Sequence, residues 1–318
     1  MKVAILGAGG ALGMRIVEAF QLGEGPSMTA VDREASQLAS AARFPIDLRV
    51  ADVFDVTSLA GSFTGCSAAV HVLTVETSAL KRSISAFCRA AAQARVRRLI
   101  YISTTDVYGV PPRPGTNASS SIHTRHESER INALAAADRQ FSAECRELGV
   151  AGVVLRPGVI YGPRAEWFGA IVRDLQHDRA WLTHAGNGIC NCVYIDHVVD
   201  AIRLVLKTRT LAGPAFILTD DEPLTWRRLY EAIATELDLP LPRLLGGTGA
   251  KPEVASATAE SSAGPVSSET RARQGNAWKF ASEHAAKALG LPPPIPFAEA
   301  IRRSAAWWRF TQGDLIVT

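Results

Sequence analysis

The first residues placed to do chemistry are glycines. The apolar stretch KVAIL (2–6) runs into Gly7-Ala8-Gly9-Gly10-Ala11-Leu12-Gly13. In such a turn the first glycine permits a sharp reversal. The middle pair, Gly9 and Gly10, lets backbone approach a pyrophosphate, and Gly13 lets the following helix pack on its strand. A helix opening at Ala11 and Leu12 offers free N–H groups to phosphate oxygens. About twenty residues on, Asp32 ends a second apolar run (28–32), where a carboxylate can bond a ribose hydroxyl. That charge repels a 2′-phosphate, whereas the adjacent Arg33 would hold one. The pattern therefore predicts bound NAD, with NADP as the alternative. Asp52 and Val53, after a third run, fall where an adenine edge is expected.

These residues need a scaffold to position them. Apolar runs at 28–32, 48–52, 67–73, 97–104 and 150–156 follow the first one. Helical patterns at 10–23, 34–42, 77–95 and 124–148 lie between most of them. Short apolar strands separated by helices predict a doubly wound α/β domain, a parallel sheet covered on both faces. The chain has 318 residues, 47% hydrophobic and 20% charged, with a net charge of +3. That balance gives no electrostatic argument for nucleic acid or an anionic membrane. No apolar run is long enough to span a bilayer.

The reading places a dinucleotide-binding Rossmann domain at 1–160 and a mainly substrate-binding domain at 161–318, with 214–219 returning a strand to the first sheet. Helices are expected at 165–178, 196–207 and 225–237, and a short strand at 189–195. Residues 246–276 are nearly devoid of large apolar side chains and read as a mobile surface segment. Five cysteines, an odd and scattered count, read as reduced thiols in the cytoplasm. Cys190 and Cys192 lack a second ligand pair, so no metal site is expected.

Further stretches add up to a family. "AAVHVL" (68–73), "YISTTDVYG" (101–109), "LRPGVIYGP" (155–163), "CNCVYIDHVVDA" (190–201) and "FILTDDEPLTWRRL" (216–229) join the glycine pattern and the ending "ALGLPPPIPFAEAIRRSAAWW". Together they make the chain resemble the extended short-chain dehydrogenase/reductases, the sugar-nucleotide epimerases and dehydratases. The resemblance implies a Rossmann fold with a smaller C-terminal substrate domain. It also implies cofactor contacts at Leu73, Thr74, Pro157 and Val159.

In that family a Tyr-x-x-x-Lys pair does the acid/base work, and a Ser or Thr on strand five completes it. Thr104 stands at the strand-five position. Counting back from Leu155-Arg156-Pro157 puts the tyrosine at Arg130 and the lysine at Leu134. Ile131, Leu134, Phe141, Cys145 and Leu148 form an apolar stripe, which turns position 134 inward. No tyrosine has lysine four residues on, and no lysine occurs between Lys81 and Lys207. The pair is absent, not displaced.

Losing a positioned acid/base group costs about 10²–10⁴-fold in rate. Candidate replacements are Asp106, where dehydratases carry acids, and His126, one turn before Arg130, with His123 a weaker choice. Arg130 itself cannot be a base, but it can hold a carboxylate or phosphate. Tyr161, Arg164 and Asn191 read as substrate-pocket wall. The leading expectation is an atypical NAD(P)-dependent epimerase/dehydratase-like enzyme on a small or nucleotide-linked substrate. The other readings are a cofactor-holding sensor or partner subunit without redox turnover, and a lyase, cyclase or isomerase using the cofactor structurally. A homodimer stays open.

Overall fold

The computed structural model describes residues 1–23, 25–123, 125–208, 215–246 and 266–312. In the first half, strands β1 (Lys2–Leu6), β2 (Ser27–Asp32), β3 (Asp47–Val50), β4 (Ala68–His71), β5 (Arg98–Ile102) and β6 (Ala151–Pro157) alternate with helices. These are α1 (Ala11–Leu22), α2 (Val56–Ser62), α3 (Leu80–Gln93) and α4 (Glu129–Glu147). There follow β7 (Val159–Tyr161), α5 (Glu166–Gln176), β8 (Trp181–Leu182), β9 (Ile189–Cys190), β10 (Cys192–Tyr194), α6 (Ile195–Lys207) and β11 (Ala215–Leu218). The last described elements are β12 (Leu224–Thr225), α7 (Trp226–Leu237), β13 (Arg243–Leu244), α8 (Ser268–Gln274), α9 (Glu283–Leu289) and α10 (Phe297–Gln312).

Seven strands form one sheet in the order β11-β6-β5-β4-β1-β2-β3, and every neighbouring pair is parallel. Strands β1 and β4 are almost wholly buried because helices cover both faces. One apolar core holds Val3, Ile5, Ile16 and Val199; the other holds Leu6, Phe63, Phe87 and Phe141. Strand order reverses at β1/β4, so a crevice opens beyond their C-terminal ends. A third core, with Tyr161, Phe168 and Trp226, belongs to the second half. Strand β11 nonetheless crosses back to the first sheet, as the apolar run at 214–219 predicts, and pairs with β6.

Three expectations are corrected. Residues 34–42 form two short 3₁₀ turns, Ala35–Leu38 and Ala41–Arg43, in which only Leu38 and Ala41 are buried. That is too small an apolar face to dock a helix. Helix α4 begins at Glu129, not near 124, because the side chain of Asn132 folds back on both backbone groups of His126. Most of the mobile segment, 247–265, lies outside the described residues. Its last part is ordered: Ser267 caps α8, Glu269 pairs with Arg273 one turn on, and Gln274 is buried. Polar contacts hold this helix where apolar ones are scarce.

Candidate cofactor and active site

A cleft of about 600 Å³ starts at the glycine turn and runs along the C-terminal ends of β1, β4, β5 and β6. At one end Gly7, Gly10, Ala11 and Leu12 face it, with Asp32 and Arg33 beside them. Leu73, Thr74, Thr104, Arg130, Leu134 and Pro157 line its middle. A hollow of similar size, about 690 Å³, lies under the loop after β5, around Tyr108, Arg113 and Arg125, and shares no residue with the cleft.

The glycines have separate reasons. Gly7 adopts φ +91°, and a Cβ there would lie 2.7 Å from the Leu73 backbone. A Cβ on Gly13 would meet the Gly7 carbonyl at 2.0 Å, and one on Gly9 the Gln37 carbonyl at 2.3 Å. Gly9 and Gly13 thus keep the turn closed and do not line the cleft. Gly10 has room, its nearest neighbour being 3.4 Å away, and faces the cleft. The first hydrogen bond of α1 runs from Met14 N–H to the Gly10 carbonyl. The N–H groups of Ala11, Leu12 and Gly13 are left for a ligand. Asp32, almost fully buried, accepts from Gly9 N–H at 2.9 Å and Arg33 N–H at 2.8 Å. Those two bonds orient the carboxylate and leave lone pairs for ribose hydroxyls. Free amides, an oriented carboxylate and an open Gly10 fit a dinucleotide.

Beyond the turn the structure departs from several expectations. Thr104 faces the cleft and accepts from Asp106 N–H at 3.2 Å. Arg130 and Leu134 both line the cleft, and of the two only Leu134 belongs to the apolar stripe of α4. Asp106 does not line it. Its oxygens take Arg273 at 2.7 and 2.9 Å and Arg130 at 3.0 Å. Burial pushes this carboxyl up, but the Arg273 hydrogen bonds and the charges of Arg273 and Arg130 outweigh that. The group stays below the usual carboxylate range and holds no proton to donate at neutral pH. Arg130 also holds Glu269 at 2.7 Å, and Arg273 holds Glu269 at 3.1 Å. Two guanidiniums and two carboxylates thus close a cluster, and Arg130 is already committed to internal anions.

His126 lies before α4, its ring between the backbone amides of Val110 and Ser128 at 3.2 Å each, away from the cleft. His123 lines the separate hollow. Tyr161 is buried in the third core and donates to Asp220 at 3.0 Å. Arg164 turns to Glu18 at 3.4 Å and to the ring of Trp307. Asn191 clamps the C-terminal chain, donating to the Trp278 carbonyl and accepting from Phe280 N–H. None of these three forms the cleft wall. Asp52 spends its carboxylate on Phe54 N–H, Val53 is core, and Val159 is buried beside Asn191, so these also stay off the cleft.

The sequence reading missed Gln37, Glu166 and Trp167 on the cleft wall, and Arg273 and Glu269 behind Arg130. Only the i,i+4 pairing of Glu269 with Arg273 was a legible signal. Among the described residues all five cysteines are free and buried, and no three His, Cys, Asp or Glu side chains gather into a metal site. No described helix is long and apolar enough to cross a membrane.

A family model described as NAD(P)H-binding matches residues 7–176. No curated protein sequence matches the chain. Among solved structures, it is similar to a dTDP-glucose 4,6-dehydratase from Streptomyces venezuelae with NAD bound, at 20% identity and TM-score 0.78, covering 99% of each chain. A Thermotoga maritima UDP-glucose 4-epimerase with UDP-glucose aligns at 16% identity and TM-score 0.76 over 98% of this chain and 100% of that one. A Bacillus cereus UDP-glucuronic acid 4-epimerase in complex with NAD aligns at 12% and 0.75, over 98% and 99%. The fold is therefore that of the extended short-chain dehydrogenase/reductases.

Proposed function

The chain belongs to the NAD(P)H-binding family, and from that premise we propose that it is an NAD-holding enzyme of the epimerase/dehydratase type that works without a tyrosine acid/base. NADP is the weaker ligand on this reading, because Asp32 stands at the ribose end. One observation carries the proposal: Arg130 and Leu134 stand on the cleft wall beside Thr104.

Gly10, Ala11 and Leu12 would bind the pyrophosphate, Asp32 the adenosine ribose, and Leu73, Thr74 and Pro157 would pack on the rest. The bound dinucleotide supplies hydride exchange. Of the three expected catalytic side chains, only Thr104 faces the cleft. Its oxygen already accepts from Asp106 N–H, so its proton is left for a partner in the cleft. An alcohol is too weak an acid and base to replace the tyrosine alone, so the substrate's proton passes through Thr104 to or from water. The substrate is a small or nucleotide-linked molecule.

NADH fluorescence titration tests the cofactor site. Wild type should saturate and Gly10→Trp, which fills the cleft end, should not. Equal binding by both would show that the glycine turn does not hold the dinucleotide. Thr104→Val should keep NADH affinity and lose turnover.

A second reading, a cofactor holder without redox turnover, is favoured by the closed cluster of Asp106, Arg130, Arg273 and Glu269. It predicts NADH binding with no hydride exchange to any acceptor.

A further inference from the structure

The substrate end of the cleft is short of positive charge. Among the described residues Arg130 is its one cation, and that guanidinium already faces Asp106 and Glu269. Arg273 behind it is saturated by the same two carboxylates. Glu166, also on the wall, has no ion-pair partner among the described residues and adds a negative charge. An anionic substrate would meet an arginine whose charge two carboxylates already balance, and would approach Glu166.

The same wall offers an aromatic surface. Trp167 lines the cleft and is 39% exposed. It is not loose: the Trp226 ring lies 5.9 Å away and the Arg273 guanidinium 5.7 Å from its ring. Leu134 and Ile160 continue the apolar lining. A rigid, backed indole in an apolar wall is a stacking platform.

We propose that the substrate end binds a planar, conjugated ring without negative charge, stacked on Trp167. This rests on the cofactor reading above and narrows its substrate class away from nucleoside diphosphates.

The test uses full-length protein with saturating NAD, and 1,4-naphthoquinone and UDP-glucose as probes in equilibrium dialysis. NAD occupancy is checked first by NADH titration. If the dinucleotide does not bind, the cofactor reading fails; if it binds and the quinone does not, only this inference fails. The expected result is quinone binding to wild type, weakened about tenfold or more by Trp167→Ala, since aromatic stacking is worth about 1–3 kcal/mol. Trp167→Phe should stay within about threefold of wild type, which separates stacking from loss of fold. UDP-glucose should not displace the quinone. Displacement by UDP-glucose, or unchanged quinone binding in Trp167→Ala, overturns the proposal.

Discussion

Asp106 grips Arg273 with both oxygens, at 2.7 and 2.9 Å, across 167 residues of chain. The contact fastens helix α8 of the C-terminal half to the loop after β5 of the first sheet. Helix α8 is held elsewhere too. Gln274 accepts from the N–H and hydroxyl of Thr183, and the Trp226 indole donates to the Arg273 carbonyl. The pair is therefore a fixed joint between the two halves, and it removes from the chemistry an acid that the sequence offered.

Arg273→Ala should destabilise the protein by about 3 kcal/mol, because a mostly buried carboxylate loses its bidentate partner. Replacing both partners together, Asp106→Leu with Arg273→Met, should cost less than Arg273→Ala alone. Urea denaturation midpoints decide this. The pH dependence has a definite sign. Asp106 is depressed in the folded state, so its stabilisation is present above the unfolded carboxylate pKa, about 3.9, and is lost as pH falls through the folded value. The acid-unfolding midpoint of Arg273→Ala should move to higher pH.

Asp220 should behave oppositely. Burial pushes its pKa up to about 6, against the Tyr194 N–H and Tyr161 hydroxyl bonds that hold it down. Below the unfolded value near 4 its contribution is full, and it is lost as pH rises through about 6. Asp220→Asn keeps an acceptor for Tyr161 and removes the charge. It should raise stability at pH 8 by about 1–3 kcal/mol and flatten the pH 4–6 limb of the melting-temperature profile. An unchanged profile would show that Asp220 keeps an ordinary carboxylate pKa.

The glycine turn, Asp32 and the inward position of Leu134 were legible because each follows from local rules: a strand ending in glycines, a carboxylate at the next strand's end, an apolar stripe. The strand at 215–218 was legible as an apolar run returning to the first sheet, but its pairing with β6 was not. What stayed hidden depends on direction and distance. Tyr161 and Asn191 sit in stretches that match the family closely, but a motif does not state where a side chain points. One faces Asp220 and the other the 278–280 backbone. Asp106 looked like a free acid because its main partner is 167 residues away, in a segment whose polar composition masked a capped helix.

Asp32 should set the cofactor preference. Wild type should bind NADH about tenfold or more tightly than NADPH, since a like charge set against the 2′-phosphate costs at least one decade of affinity. Asp32→Asn retains an acceptor for Gly9 N–H and removes the repulsion, so NADPH affinity should rise while NADH affinity falls or holds. Parallel fluorescence titrations measure both. Tighter NADPH binding by wild type would mean that Arg33 dominates the pair.

Rebuilding the missing pair is the sharpest test of the active-site reading. Arg130→Tyr with Leu134→Lys restores the family arrangement at two positions that both line the cleft. If the native chemistry still wanted a tyrosine acid, the double variant would gain turnover. We expect none. Leu134 is half-buried and packs against two apolar clusters, so an ammonium there is desolvated unless ribose hydroxyls receive it. Removing Arg130 also takes one cation from a cluster whose carboxylates it shares with Arg273. The two effects should lower stability by about 1–3 kcal/mol. Arg130→Ala is the control. It should lose stability through the cluster and leave NADH affinity intact, because Arg130 touches carboxylates and not the glycine turn. A control as stable as wild type would make the Arg130 contacts surface ion pairs of no consequence. A double variant faster than wild type would mark the protein as a tyrosine-dependent enzyme that lost its acid.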